Sequence, residues 1–233
     1  MILGENGIKM GKRFPEFVVN PSDIVREYGA DTLRLYEMFM GPLEVSKPWS
    51  KSGVEGARRF INRVWNFFTD EEKITDNEVS SLDKLYHQTV KKVTGDFEKL
   101  AFNTAIAQMM IFVNALYKEN TCPRKYAEGF IKMLSPITPH LCEEIWNKLG
   151  YNETLAYESW PVFDEAMCAE DTVEIGVQVN GKVKGTVSLS KTEDKDSALS
   201  KAKAADGVAG FIEGKTIVKE IYVPGKIVNI VVK

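Results

Sequence analysis

Ala105-Ile106-Ala107-Gln108-Met109-Met110-Ile111-Phe112-Val113-Asn114-Ala115-Leu116-Tyr117 decides how this chain folds. Ala105, Ile106, Met109, Phe112, Val113, Leu116 and Tyr117 recur at steps of three and four, the period of a helix with one apolar face. Asn103 stands where a cap is expected. The neighbouring segments repeat the pattern. Val54, Ala57, Ile61, Val64, Trp65 and Phe68 form one stripe, and Leu82, Leu85, Val90, Val93, Phe97 and Leu100 another. Pro123 opens a helix carrying Tyr126, Ala127, Phe130, Ile131 and Leu134. His140 opens a fifth, with Leu141, Ile145, Trp146 and Leu149, which stops at Gly150. Stripes this wide must bury one another, which predicts a four- or five-helix bundle from Ser52 to Gly150.

Residues 151–170, with Trp160-Pro161 and several acids, read as a connector. Beyond it the period changes to two. Val173, Ile175, Val177 and Val179 alternate with Glu174, Gly176 and Gln178, and Asn180-Gly181 is a strong hairpin signal. Lys182 to Leu189 form the return strand. Residues 195–213 read as helix, interrupted at Gly207 and Gly210. Strands Ile217–Val223 and Ile227–Val232 close the chain around Pro224-Gly225. Upstream of the bundle, Pro15, Pro21, Pro42 and Pro48 mark a loop-rich start. It holds one short helix capped by Ser22 and broken at Gly29. A second, capped by Asp31 or Thr32, ends at Gly41-Pro42. The expected fold is multidomain and mainly α: a start over residues 1–50, a helical bundle over 51–160, and a small α+β domain over 171–233.

The chain has 233 residues, 44% hydrophobic and 27% charged, with a net charge of −3. It is not a polycation, so any nucleic-acid contact must come from local basic patches. The polar start does not read as a secretory signal, and no membrane span is expected. Cys122, Cys142 and Cys168 lie far apart and only His87 and His140 are present, so no metal site is expected. Sparse, odd cysteines suit a reducing cytosol. His140 has no nucleophile beside it and reads as a capping or packing residue, as does His87. Glu71-Glu72 and Glu143-Glu144 are sequence neighbours that point apart on a helix and read as solvated.

The basic residues carry the remaining chemistry. Lys9-Met10-Gly11-Lys12-Arg13 is a short polar loop whose lysines suit a polyphosphate, with Lys12 better placed after Gly11 and Lys9 able to anchor the loop. A solvated basic turn is the plainer alternative. Arg58, Arg59 and Arg63 lie on the first bundle helix, with Arg59 and Arg63 one turn apart. Their forks suit RNA phosphates, and pairing within the bundle is the alternative. Lys182 and Lys184 flank the hairpin turn and share a strand face; Lys215, Lys219 and Lys226 belong to the same domain. They suit backbone contacts to RNA or, alternatively, protection of a sheet edge.

These residues also carry a resemblance. Lys9-Met10-Gly11-Lys12-Arg13 resembles the Lys-Met-Ser-Lys-Ser loop of class I aminoacyl-tRNA synthetases. Tyr28-Gly29-Ala30-Asp31-Thr32-Leu33-Arg34, Leu134-Ser135-Pro136-Ile137-Thr138-Pro139-His140-Leu141, Gln178-Val179-Asn180-Gly181-Lys182-Val183 and Val223-Pro224-Gly225-Lys226-Ile227 follow in an order similar to bacterial leucyl-tRNA synthetase. The resemblance covers essentially the whole chain. It implies attachment of leucine to tRNA(Leu) through leucyl-adenylate, with ATP and Mg2+ as substrate. The triphosphate-stabilising role falls by position on Lys12, within the ATP-binding run Lys9, Met10, Gly11, Lys12 and Arg13. Gly11 and Arg13 replace the family's serines, and Phe14-Pro15-Glu16-Phe17 lengthens the link that follows.

The resemblance implies a C-terminal portion of such an enzyme. It lacks the His-x-Gly-His signature and nucleotide-binding core, holds no complete catalytic set and no cofactor of its own, and is expected to be inactive alone, monomeric and cytoplasmic. The bundle corresponds to the family's anticodon-binding domain, and Arg58, Arg59, Arg63, Lys182, Lys184, Lys215 and Lys226 are the expected tRNA contacts. Leucine and ATP would be met through the missing core. The alternative is an autonomous tRNA-binding module without chemistry, which would have no need of a catalytic loop.

Overall fold

The computed structural model describes residues 1–4, 7–168, 172–190 and 193–233. The chain divides into two compact units, Met1–Cys168 and Ala169–Lys233. The first is mainly α and the second is a small α+β unit.

In the first unit, β1 (Ile2–Leu3) precedes the basic loop and pairs in parallel with β2 (Lys47–Pro48). Between them lie α1 (Pro21–Tyr28) and α2 (Ala30–Phe39). Then come α3 (Lys51–Phe68), β3 (Ile74–Thr75), α4 (Ser80–Glu98), α5 (Phe102–Glu119), β4 (Cys122–Pro123), α6 (Arg124–Leu134), α7 (Pro139–Lys148) and the short α8 (Glu165–Cys168). The apolar stripes meet in one core. Phe67, Phe68, Phe112 and Phe130 are its largest fully buried side chains, and Phe130 stacks on Phe68 at 5.2 Å.

Several caps differ from the sequence reading. Asn20, not Ser22, caps α1 by accepting from the Ser22 N–H at 3.0 Å, with Pro21 in the first turn. Gly29, with φ of 90°, takes the cap position of α2 and has no side chain to offer, while Asp31 and Thr32 fall inside the helix. Ala101, not Asn103, precedes α5. Leu100 is exposed rather than part of its stripe, because α4 ends at Glu98 and Leu100 takes the left-handed conformation, φ 56°, to turn the chain into α5. Glu143 is engaged rather than merely solvated: it accepts from the Thr154 hydroxyl at 2.6 Å and the Leu155 N–H at 3.1 Å.

The connector is bound down along α4. Trp160 Nε1 donates to Thr94 Oγ1 at 2.8 Å, the Asp164 N–H donates to His87 Nδ1 at 3.0 Å, and Gln88 Nε2 donates to the Cys168 carbonyl at 3.2 Å. Lys91 pairs with Glu165. His87, Gln88, Lys91 and Thr94 share one face of α4 by helical spacing.

The second unit has strands β5 (Thr172–Val179), β6 (Lys182–Ser190), β7 (Ile217–Val223) and β8 (Ile227–Val232) in the order β6-β5-β8-β7. The two antiparallel hairpins join through the parallel pair β5–β8. Helices α9 (Lys195–Ala204) and α10 (Ala209–Ile212) connect them. Ile175, Val177, Leu189, Val228 and Ile230 are buried together with Ala198, Leu199 and Ala202 of α9, as the two-residue period requires. Asn180 and Gly181 have φ of 50° and 77°, the left-handed pair that a two-residue hairpin of this hand needs. Asn180 also clasps β8: its Oδ1 accepts from the Val232 N–H at 2.9 Å and its Nδ2 donates to the Val232 carbonyl at 3.2 Å.

Glu193 anchors the start of α9. Its carboxylate accepts from the Ser197 hydroxyl, from Lys201 at 2.9 Å and from the Ser190 N–H at 3.1 Å. These bonds hold its pKa down to about 2, from an ordinary 4.5. A depressed carboxylate pKa stabilises the fold above the unfolded value and loses that contribution as pH falls toward the folded one. The melting temperature of the second unit is therefore expected to drop between about pH 4.5 and 2. Calorimetry of Glu193→Gln should show a flatter profile over that window; an unchanged slope would remove Glu193 as the cause.

Candidate nucleic-acid interface

The basic loop is a tight turn on a fixed base. The Gly4 N–H donates to the Ile8 carbonyl at 2.8 Å, and Leu3 and Lys9 form an isolated antiparallel bridge. Met10 is half-buried against the bundle core. The Phe14 N–H then closes on the Gly11 carbonyl at 3.0 Å, which puts Lys12 and Arg13 at the two central positions of the turn. Arg13 lies over the Phe14 ring at 5.5 Å. Lys12 is exposed and has no side-chain partner among the described residues. Lys9 takes part in the base of the loop through its backbone, so the two lysines differ in position.

Two side chains of α2, Asp31 and Arg34, tie the start of the chain to the bundle. Asp31 is 9% exposed and reaches 110 residues ahead. Its Oδ2 accepts from the Leu141 N–H at 2.7 Å and its Oδ1 meets His140 Nδ1 at 2.8 Å. Leu141 lies in the first turn of α7, whose own Thr138 supplies no cap, so Asp31 caps that helix from elsewhere in the fold. Arg34 donates from Nε to the Ile137 carbonyl at 2.9 Å and from Nη2 to the Pro136 carbonyl at 2.7 Å. Asp31→Ala is expected to destabilise the first unit by about 1–3 kcal/mol, because it orphans a helix N–H. Asp31→Asn, which keeps an acceptor, is expected to lose less. Urea denaturation of both variants at wild-type stability would show that this contact does not hold the two segments.

The arginines of α3 divide. Arg58 Nη1 donates to the Tyr28 carbonyl at 3.1 Å at the exposed end of α1. Arg59 is exposed, with no side-chain partner among the described residues. Arg63 is half-buried and spread over the Tyr117 ring at 4.7 Å, while Tyr117 donates its hydroxyl to the Arg63 carbonyl at 2.9 Å. Arg58 and Arg59 therefore present cations outward, and Arg63 is committed to packing on α5.

The lysines of the second unit divide as well. Lys182 is exposed and pairs with Val179 in register. The register slips at Val177/Gln178, so that Lys184 is passed over between Val183 and Gly185. That slip interrupts the alternation through which Lys182 and Lys184 would share a face. The Lys184 ammonium sits 3.9 Å from the Phe211 ring centroid on α10. Thr216 and Lys233 exchange backbone bonds at 3.1 and 2.9 Å beside Val232, which places Lys215 at the end of the sheet that carries the Asn180-Gly181 turn and Lys182. β6 and β7 are opposite edges, about 14 Å apart at ~4.8 Å per strand. Lys226 lies in the β7–β8 turn, at the other end of those two strands.

Burial raises the pKa of the Cys122 and Cys142 thiols, which makes both inert. No cluster of three or more His, Cys, Asp or Glu able to hold a metal occurs among the described residues, and no described helix is long and apolar enough to cross a membrane. Sequence reasoning did not single out Trp65, Asn62 or Asp31 as site-forming. With Arg58, His140 and Glu144 they border an open cavity of about 540 Å3 where α2, α3 and α7 meet.

The first unit is thus a helical bundle with two exposed arginines and an anchored basic turn, and the second is a lysine-bearing α+β unit. Residues 81–199, more than half of the 233, match the family described as the anticodon-binding domain of tRNA ligase, and the chain belongs to that family. All of it also superposes on a leucyl-tRNA synthetase from Agrobacterium radiobacter K84 (agnB2), solved as a ternary complex with tRNA and LeuAMS. The TM-score is 0.74 at 28% identity, and the match covers 33% of that synthetase chain, so this chain spans about a third of its length.

Proposed function

We propose that this chain is the tRNA-docking C-terminal part of a leucine–tRNA ligase and that it lends the reaction one cation, Lys12. The observation that carries the proposal is the end-to-end likeness to a leucyl-tRNA synthetase solved with tRNA. The position of Lys12 at the tip of an anchored turn, with no competing partner among the described residues, supports its role. The reaction joins leucine to ATP as leucyl-adenylate with release of pyrophosphate, and leucine then passes to the 3′ adenosine of tRNA(Leu). Lys12 would stabilise the triphosphate as pyrophosphate leaves, a charge held where charge develops. Lys9 sits at the base of the same turn, where it would anchor the loop. The described residues offer no carboxylate cluster for Mg2+, which would arrive on the nucleotide. Arg58 and Arg59 would meet the RNA backbone from the bundle, and Lys182, Lys215 and Lys226 from the second unit. Leucine and the adenylate would be held by a catalytic core outside these 233 residues, and the enzyme would act as a cytoplasmic monomer.

The test has two arms. Titration of the chain with labelled tRNA(Leu) is expected to lose about 10²–10³-fold in affinity between 50 and 200 mM salt, as roughly five phosphate contacts demand. Absent or salt-independent binding would overturn the docking role. ATP–pyrophosphate exchange on the chain alone is expected to show no leucine-dependent turnover, and clear turnover would overturn its status as part of a larger enzyme.

A further inference from the structure

We infer that the cavity between α2, α3 and α7 receives one unstacked base of the docked RNA, with Trp65 and Asn62 as the receiving side chains. The inference rests on the tRNA-docking role proposed above and goes beyond backbone contact. At about 540 Å3 the cavity is in the size range of small-ligand sites and open to solvent. Its wall is neither a salt-bridge cluster nor a purely apolar groove.

Each charged group around it already has at least one partner. Both oxygens of Asp31 are taken by the Leu141 N–H and His140. Glu144 lies 3.7 Å from Lys148, and Arg58 spends Nη1 on the Tyr28 carbonyl. The Asn62 amide and the indole N–H of half-buried Trp65 have no hydrogen-bond partner among the described residues. The ring of Trp65 has Lys148 5.6 Å from its centroid. An aromatic wall beside a neutral amide is the chemistry that receives a nucleobase: the ring supplies a stacking surface, and an amide supplies a donor and an acceptor to a base edge. The carboxylates of Asp31 and Glu144 disfavour a phosphate inside the cavity.

Helical spacing supplies the rest. Arg58, Asn62 and Trp65 stand at i, i+4 and i+7 on α3, one stripe about 10 Å long. A phosphodiester held by Arg58 would leave its base opposite Asn62 and Trp65. The cation, the amide and the ring thus follow the order of a nucleotide's own parts.

The experiment compares wild type, Asn62→Ala and Trp65→Leu. Asn62 is an exposed side chain whose loss should not disturb folding, and leucine keeps apolar volume at position 65. Both variants are expected to bind tRNA(Leu) about five- to tenfold more weakly, with the salt dependence unchanged because no phosphate contact is lost; Arg59→Ala should instead flatten it by about one contact. In a second arm AMP, GMP, CMP and UMP are titrated while the Trp65 indole N–H resonance, assigned by its loss in Trp65→Leu, is followed. A saturable shift with at least one nucleotide, absent in Asn62→Ala, is expected. If tRNA binds but both variants bind as wild type does, the cavity assignment fails and docking stands. If no tRNA binds, docking fails and the mononucleotide arm alone decides the cavity, with no shift for any of the four overturning it.

Discussion

Lys12→Ala is expected to slow leucine activation by about 10²–10³-fold when this chain is joined to a leucyl-tRNA synthetase catalytic core. The turn that carries Lys12 is held on both sides: by the Leu3–Lys9 bridge and half-buried Met10 before it, and by the Gly11–Phe14 closure after it. Removing the side chain beyond Cβ therefore deletes a charge without loosening the loop. A charge that acts on the leaving pyrophosphate matters more in the transition state than in the ground state, so kcat should fall while the KM for leucine stays near wild type. Lys9→Ala should cost less, because the backbone of Lys9 already serves the base of the loop. ATP–pyrophosphate exchange with the joined polypeptide measures both. A loss under about fivefold for Lys12→Ala would remove it from the chemistry.

Phe130→Ala is expected to cost the first unit about 3–5 kcal/mol. The ring is fully buried, lies 13° from parallel with Phe68, and is 5.6 Å from Phe112. Three helices, α3, α5 and α6, thus meet at one aromatic cluster. At roughly 2–4 °C per kcal/mol for a unit of this size, the first unfolding transition should drop by roughly 6–20 °C. The second unit has its own core around Val177, Val228 and Ile230, so its transition should stay where it was. Calorimetry resolves the two. A drop of only a degree or two would mean that the cluster is not the centre of the bundle.

What was readable in the sequence was whatever repeats locally. The stripe from Ala105 to Tyr117 became α5 with Ala105, Ile106, Met109, Phe112, Val113 and Leu116 buried. The alternation from Val173 to Val179 became β5 with Ile175, Val177 and Val179 inside, and Asn180-Gly181 became the hairpin turn. Apolar periodicity is enforced by burial along a single segment, so it can be read without knowing the partner. Caps were less legible: Asn20, Ser22 and Asp31 are all good capping types, and which one is used depends on where the chain turns.

The candidate site divides along the same line. That Lys12 sits in a short polar loop and that Arg58, Arg59 and Arg63 share one helix could be read directly. That Arg63 is spent on Tyr117, 54 residues away, and Lys184 on Phe211 could not, because a cation gives no sign in sequence of the ring it will cover. Asp31 shows this most plainly. The sequence made it a cap for the helix beside it, and the tertiary structure made it the cap of α7, 110 residues on. The sequence by itself determined the helices, the strands and the supply of charge, because each follows from local spacing. Only the tertiary structure decided which charges stay exposed and which are tied into the protein, because that depends on groups distant in the chain being brought within reach of one another.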